Sequence, residues 1–399
     1  GLHSAIGKDI AAEGAKFIAE ANKQIDRNSG KLEITYDAYW SNPPLKISNQ
    51  LSGLRIDKSK ANEISWLSNN KAFYKKIVTE NIVLLERYRK IIKMKQYSNT
   101  LKPHISTPMI RYAAVKKLNQ LDNITIIDDF VNHDQHKALV RLQENITALK
   151  LMMKQSKYLV DKVAAISLLT DSLSTYEIML DNLESHGQTN LIVANFDHDE
   201  RTMKEVFKYE SAMQSTSLYL DDSNHRVFGL LKDGGFDQAI EGILMAYYLK
   251  PRKFENMAYR SLWMPLVKME GMTLAERNIH PYGISIGTAS WWEFYKDPAT
   301  HILASIATPD YSVYINKAGH LNAYITLINV KSAIYLNNMS LSAIEDYLTT
   351  INAKDNPGYV GAKVILNKER KELLYRIPNY EPINRAPIPR AKLLFEKII

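Results

Sequence analysis

From residue 128 to residue 185, apolar side chains recur at helical spacing with little interruption. This run constrains the fold more than any other feature. Leu159, Val163, Ile166, Thr170, Leu173 and Met179 fall on one face of a 3.6-residue period, so the segment must bury a stripe against neighbouring helices. The pattern predicts helices over 128–155 and 156–185, broken near 155–157. Comparable stripes predict a helix over 59–97, with a break near Asn69-Asn70. Its face holds Phe73, Ile77, Leu84, Leu85, Tyr88, Ile91 and Ile92. Asn81 lies inside that stripe and reads as a buried amide bonded to neighbouring backbone.

The same reasoning organises the rest of the chain. A small-residue helix is expected over 3–26, with Ala5, Ala12, Ala15 and Ala19 on its apolar face. Pro108 suits a helix start, running through Ile110, Ala114 and Leu118. Helices follow over 199–218, over 236–249 and 251–267 (split by Pro251), and over 311–328 and 340–351. Residues 191–196 are too short and apolar to assign. Near the C-terminus, Asn356-Pro-Gly358 and Gly361 supply turn chemistry. They lead into a hairpin whose Val364, Leu366, Leu373 and Tyr375 share one face. Pro378, Pro382, Pro387 and Pro389 then keep the tail extended or wrapped on the body.

The expected fold is therefore mainly α: a multi-helix bundle-like body with a short C-terminal β-hairpin and an extended, proline-containing basic tail. The expected organisation is a helix and irregular linker over 1–58, a helical body over 59–352 with a sub-boundary near 186–198, and hairpin plus tail over 353–399.

Composition narrows the chemistry. The chain has no cysteine, which excludes disulfides, thiolate metal sites and cysteine nucleophiles and is in keeping with an oxidising, extracytoplasmic compartment. No apolar run is long enough to span a membrane without charges. The chain begins at Gly1, which is read as a removed leader or anchor, with trimming of a cytoplasmic protein as the other reading. The net charge of +8 is segregated: residues 85–117 hold nine basic side chains and one acidic. Such a stretch is either a solvated helix face or a surface for anionic lipid, acidic protein or nucleic acid. No helix-turn-helix, finger or RNA-binding signature accompanies it, so nucleic acid is not an expected partner.

Several segments together resemble an uncharacterised family of proteobacterial envelope proteins. They are Glu80-Asn-Ile-Val-Leu-Leu-Glu-Arg-Tyr88, Tyr248-Leu-Lys-Pro-Arg-Lys-Phe-Glu-Asn256, the stretch from Asp297-Pro298 through Pro309 to Tyr314, and Asn356-Pro357 with Gly361. Asp297 stands where that pattern has Asn, and Thr300 where it has Gly. The resemblance implies an N-terminal membrane anchor, a large helical extracytoplasmic body and a periplasmic location; it implies no activity.

Few constellations carry chemistry. Asp197-His198-Asp199-Glu200, joined by His133 and His136, offers oxygen and imidazole ligands suited to zinc or manganese. The competing reading makes Asp197 or Asp199 a helix N-cap. His133 and His136, three apart, would share one helix face. Gly283-Ile-Ser285-Ile-Gly287 matches the letters of a nucleophile elbow without the flanking strand and helix, and would need His301 or His320 as base. Trp291, Trp292 and Tyr295 form an aromatic cluster of the kind that lines interfaces or fills cores. Arg87, Arg89, Lys90 and Lys93 form a basic helical row. The lack of a recognisable catalytic motif, the 23 tyrosines and the segregated positive charge favour a non-catalytic protein, scaffold-like or immunity-like, binding another protein or an anionic envelope component without a cofactor; the envelope setting is what the resemblance implies. The alternative is a hydrolase, metal-dependent through His133, His136, Asp197 and His198, or serine-based through Ser285.

Overall fold

A computed structural model describes residues 9–27, 67, 69–97, 99–104, 107, 112–182, 191–219, 264–271, 312–352, 363–370, 372–376 and 390–392. The protein is mainly α with a small antiparallel sheet near the C-terminus. Its helices are α1 (Ile10–Arg27), α2 (Lys71–Glu80), α3 (Ile82–Ile92), α4 (Tyr112–Asn132), α5 (Gln135–Gln155), α6 (Leu159–Asp181), α7 (His198–Arg201), α8 (Lys204–Tyr219), α9 (Met264–Gly271), α10 (Ser312–Leu336) and α11 (Leu341–Asn352). The strands are β1 (Lys363–Asn367), β2 (Glu372–Arg376) and β3 (Arg390–Lys392).

Helices α4, α5 and α6 pack on one another, and α10 lies against α6. Both α6 and α10 are buried on more than one side, which is why their sequences are apolar almost all round. One hydrophobic cluster runs from Ile126 through Leu169, Phe196 and Ile328 to Leu373 and Tyr375. α6 is long and apolar enough to cross a membrane by length and composition, but most of it is buried inside the protein.

The structure shifts several expected boundaries. The break expected near 155–157 is present, with Ser156 closing α5 and α6 beginning at Leu159. The helix start expected at 128 falls instead at His133–Asp134, where the Asp134 carboxylate accepts from Lys137 N at 3.0 Å and starts α5. The helix expected over 59–97 is interrupted at Asn81. Asn81 is buried, and its Nδ2 donates to Ile77 O at 2.9 Å, as its place in the stripe suggested. The packed side of α1 is Ile18, Ala21 and Ile25, while Ala12, Ala15 and Ala19 are exposed. Ile18 and Ile25, two turns apart on one side, bury more area than the alanine row would. The helix expected over 199–218 divides at Thr202–Met203 into α7 and α8.

Extended segments are held by asparagines on helices. Residues 191–197 run beside α10 with Leu191, Val193 and Phe196 buried. Asn329 Nδ2 donates to Val193 O at 2.8 Å, and Val193 N donates to Asn329 Oδ1 at 3.3 Å. One turn earlier Thr326 Oγ1 accepts from Asn195 Nδ2 at 3.1 Å, and Asn322 Oδ1 accepts from Phe196 N at 2.8 Å. Positions 322, 326 and 329 share one side of a helix, so α10 offers this segment the donors and acceptors that a neighbouring strand would supply. Asn22 of α1 does the same for the chain after α3, bonding Thr100 O at 3.0 Å and Lys102 N at 2.8 Å.

In the sheet, β2 is central, flanked antiparallel by β1 and β3. Val364 pairs with Tyr375 and Leu366 with Leu373, so the expected apolar face forms and packs on α10 and α11. Asn352, the last residue of α11, bonds both Val364 N and Val364 O at 2.8 Å. This third clamp occupies backbone groups of an edge strand that would otherwise invite pairing with another chain. Residues 390–392 of the tail form β3 rather than a free extension. The expected turn at Asn356-Pro-Gly358 and Gly361 lies outside the described residues.

Candidate functional site

The acidic segment 197–200 is the richest cluster of chemistry the sequence offered, and each carboxylate in it has structural work. Asp197 N-caps α7: its Oδ1 accepts from Glu200 N at 2.8 Å, and Glu200 Oε2 accepts from Asp197 N at 3.0 Å. This is a reciprocal capping box, which satisfies two helix-terminal donors at once. Two lysines of α5 neutralise the acids. Lys154 Nζ lies 2.9 Å from Asp197 and 3.3 Å from Asp199. Lys150 Nζ lies 3.2 Å from Glu200 and also donates to Ala194 O at 2.7 Å and Asn195 O at 3.3 Å, over the face of Phe196. Burial opposes ionisation of Asp197, but the Lys154 hydrogen bond and the Glu200 amide outweigh it and hold this carboxyl below its usual range.

Beneath the corner, α6 contributes Lys162, a buried ammonium that donates to the carbonyls of Thr202 and Asp199 at the C-terminal end of α7. Cations suit that end of a helix. Desolvation nonetheless dominates and pushes the Lys162 amine down to about 8, against the field of Glu270 and Glu200. Glu270 of α9 completes the corner. It accepts from Thr202 Oγ1 at 2.8 Å and from Met203 N, the amide opening α8. The helix breaks at Thr202–Met203 because these two side chains take up the carbonyls and amides released there. Lys162 was missed in the sequence, although a lysine beside Val163 in an apolar run is a visible anomaly.

The proposed metal ligands do not assemble. His133 and His136 are separated by the α4–α5 break, with Asp134 capping between them, so they do not share a helix face, and both are exposed. His198 is the exposed first residue of α7. Among the described residues no group of three His, Asp or Glu side chains is placed to hold a metal ion. Ser285, His301, Trp291, Trp292 and Tyr295 lie outside the described residues.

The basic row on α3 divides in two. Arg89 turns inward: its Nε lies 2.7 Å from Asp122 Oδ1, and its Nη2 donates to Thr125 at 2.8 Å. Arg141 of α5 grips the same Asp122 at 2.8 Å and also pairs with Asp129. Arg87 is half-buried, whereas Lys90 and Lys93 are exposed. Lys93 has only an outlying contact with Glu144, at 3.7 Å, of the kind worth at most about 1 kcal/mol.

Three further polar groupings bridge helices among the described residues. Tyr88 OH donates to Asn119 at 2.8 Å, and Asn145 donates to Asn119 at 3.0 Å, tying α3, α4 and α5 together. Asp161 accepts from Tyr97 at 2.7 Å, from Asn99 at 3.0 Å and from Tyr112. Burial, reinforced by that carboxylate, raises both phenols. Lys331, fully buried on α10, lies 2.7 Å from Asp181 and 3.3 Å from Glu177 of α6. Burial raises the Asp181 carboxyl despite that lysine. These pairs fix helix register. No protein-family model, curated protein or solved structure matches the chain, so the reading of these groups rests on their geometry.

Proposed function

We propose that this is a non-catalytic binding protein of the cell envelope, whose helical body engages another protein or an anionic envelope component through the outer side of α2–α3. The observation that carries this is the division of the basic row. Arg89 is committed to Asp122, while Lys90 and Lys93 face outward beside the exposed Ile82 and Val83. Charge left at a surface, after the interior has taken what it needs, is available to a partner. The engagement of Asp197, Asp199 and Glu200 by lysines favours this reading over metal-assisted hydrolysis, because a cation there would have to displace Lys150 and Lys154. A periplasmic, inner-membrane-anchored setting is part of the proposal, supported by the envelope-family resemblance and the absence of cysteine.

The test uses the full chain and its Lys90→Glu/Lys93→Glu variant against envelope extract over a range of salt. Wild type should retain one acidic component that is released by salt, and the variant should not. Equal retention by both proteins would remove the proposed face, and no salt-sensitive component at all would remove the function.

A further inference from the structure

We infer that the occupant of the α2–α3 outer side is the headgroup layer of an anionic phospholipid surface rather than an acidic protein; this rests on the reading just given. The face is rich in lysine and has no outward arginine fully exposed. Lys75, Lys76, Lys90 and Lys93 are exposed, while Arg89 is spent on Asp122. Protein interfaces show the opposite preference, with arginine and large aromatics enriched and lysine depleted at their centres. Lysine's point charge on a flexible stem suits a fluid layer of phosphates, where no fixed geometry has to be matched.

The apolar part of the face fits the same occupant. Phe73, Ile82 and Val83 are 39%, 38% and 43% exposed. Phe73 stands alone and Ile82-Val83 form one short pair among charges, too small a set for the packed centre of a protein interface. Partly exposed apolar side chains flanked by lysines are what a helix lying at a membrane surface presents. Glu80 and Glu86 are the exposed acids on these two helices, so positive charge predominates. Each helix is about 15 Å long, enough for several headgroup contacts. Their inner sides are anchored by Tyr74 and Ile77 of α2 and by Leu84, Leu85 and Tyr88 of α3, so the outer side can meet a surface without unfolding.

Cosedimentation of the full chain with vesicles tests this. Vesicles of phosphatidylcholine with phosphatidylglycerol should bind the protein, pure phosphatidylcholine should not, and added salt should release it. Lys76→Ala and Lys90→Ala should each weaken partition roughly fivefold, and Lys137→Ala, an exposed lysine at the start of α5, should leave it unchanged. Equal binding to neutral vesicles would overturn the inference, as would binding indifferent to Lys76 and Lys90. Loss of vesicle binding together with Lys90-dependent retention of an acidic protein would overturn the lipid assignment and keep the binding function. Absence of both would overturn both.

Discussion

Lys162 allows the energetics of the corner to be tested through pH alone. Its amine is pushed down to about 8 by burial, against about 10.4 in an unfolded chain. Below pH 8 both states carry the proton and the group contributes no slope. Between the two values the unfolded chain holds a proton that the folded protein has released, so this group's contribution to stability rises with pH. At about 1.4 kcal/mol per unit, the whole window amounts to roughly 3 kcal/mol. Lys162→Met removes the titration. At neutral pH the variant gains from losing a desolvated ammonium but strands the Thr202 and Asp199 carbonyls, each worth about 1–3 kcal/mol. Its net change there should therefore be small. Urea denaturation followed by far-ultraviolet circular dichroism, from about pH 7 to pH 10, should show wild type gaining about 2 kcal/mol relative to Lys162→Met. Parallel curves would mean that Lys162 keeps its proton in the folded protein across this range. Tyrosines raised by burial act in the opposite direction only above about pH 10, outside the informative range.

Two further outcomes follow from the same contacts. Asn329→Ala should lower stability by about 2–4 kcal/mol, because Val193 loses a partner for both its amide and its carbonyl; thermal melts give the value, and hydrogen exchange should localise the loss to residues 191–197. For Asp197, whose folded carboxyl is held below its usual range, the linked stability is present above about pH 4 and is lost as pH falls further. Acid titration of wild type against Asp197→Asn should show that difference disappearing in the most acidic samples.

The parts of the fold that were legible in the sequence depend on local periodicity. Alternation alone puts Val364, Leu366, Leu373 and Tyr375 on one face, and the register agrees. Asn81 was read as an internal amide because it interrupts an apolar stripe, and its partner Ile77 O is one turn away. What escaped were polar groups whose partners are remote. Arg89 looked like one more member of a basic row because Asp122 is 33 positions further on. The asparagine clamps join residues 78 and 136 positions apart. Periodicity carries no information about such pairings. Even so, Asn322, Thr326 and Asn329 form a polar row inside an apolar helix, and that departure was visible. The capping alternative for Asp197 was legible for the converse reason: a cap is a local device, and Glu200 lies three residues on.

The acidic segment 197–200 fastens the fold instead of waiting for a metal or a substrate. A double-mutant cycle in urea denaturation, combining Lys150→Met with Glu200→Gln, tests it most directly, because it separates the pair from the bonds Lys150 makes to Ala194 and Asn195. A favourable coupling of about 1–3 kcal/mol is expected between the two residues. Additivity within about 0.5 kcal/mol would mean that Lys150 does not hold Glu200 and would leave that carboxylate free for chemistry.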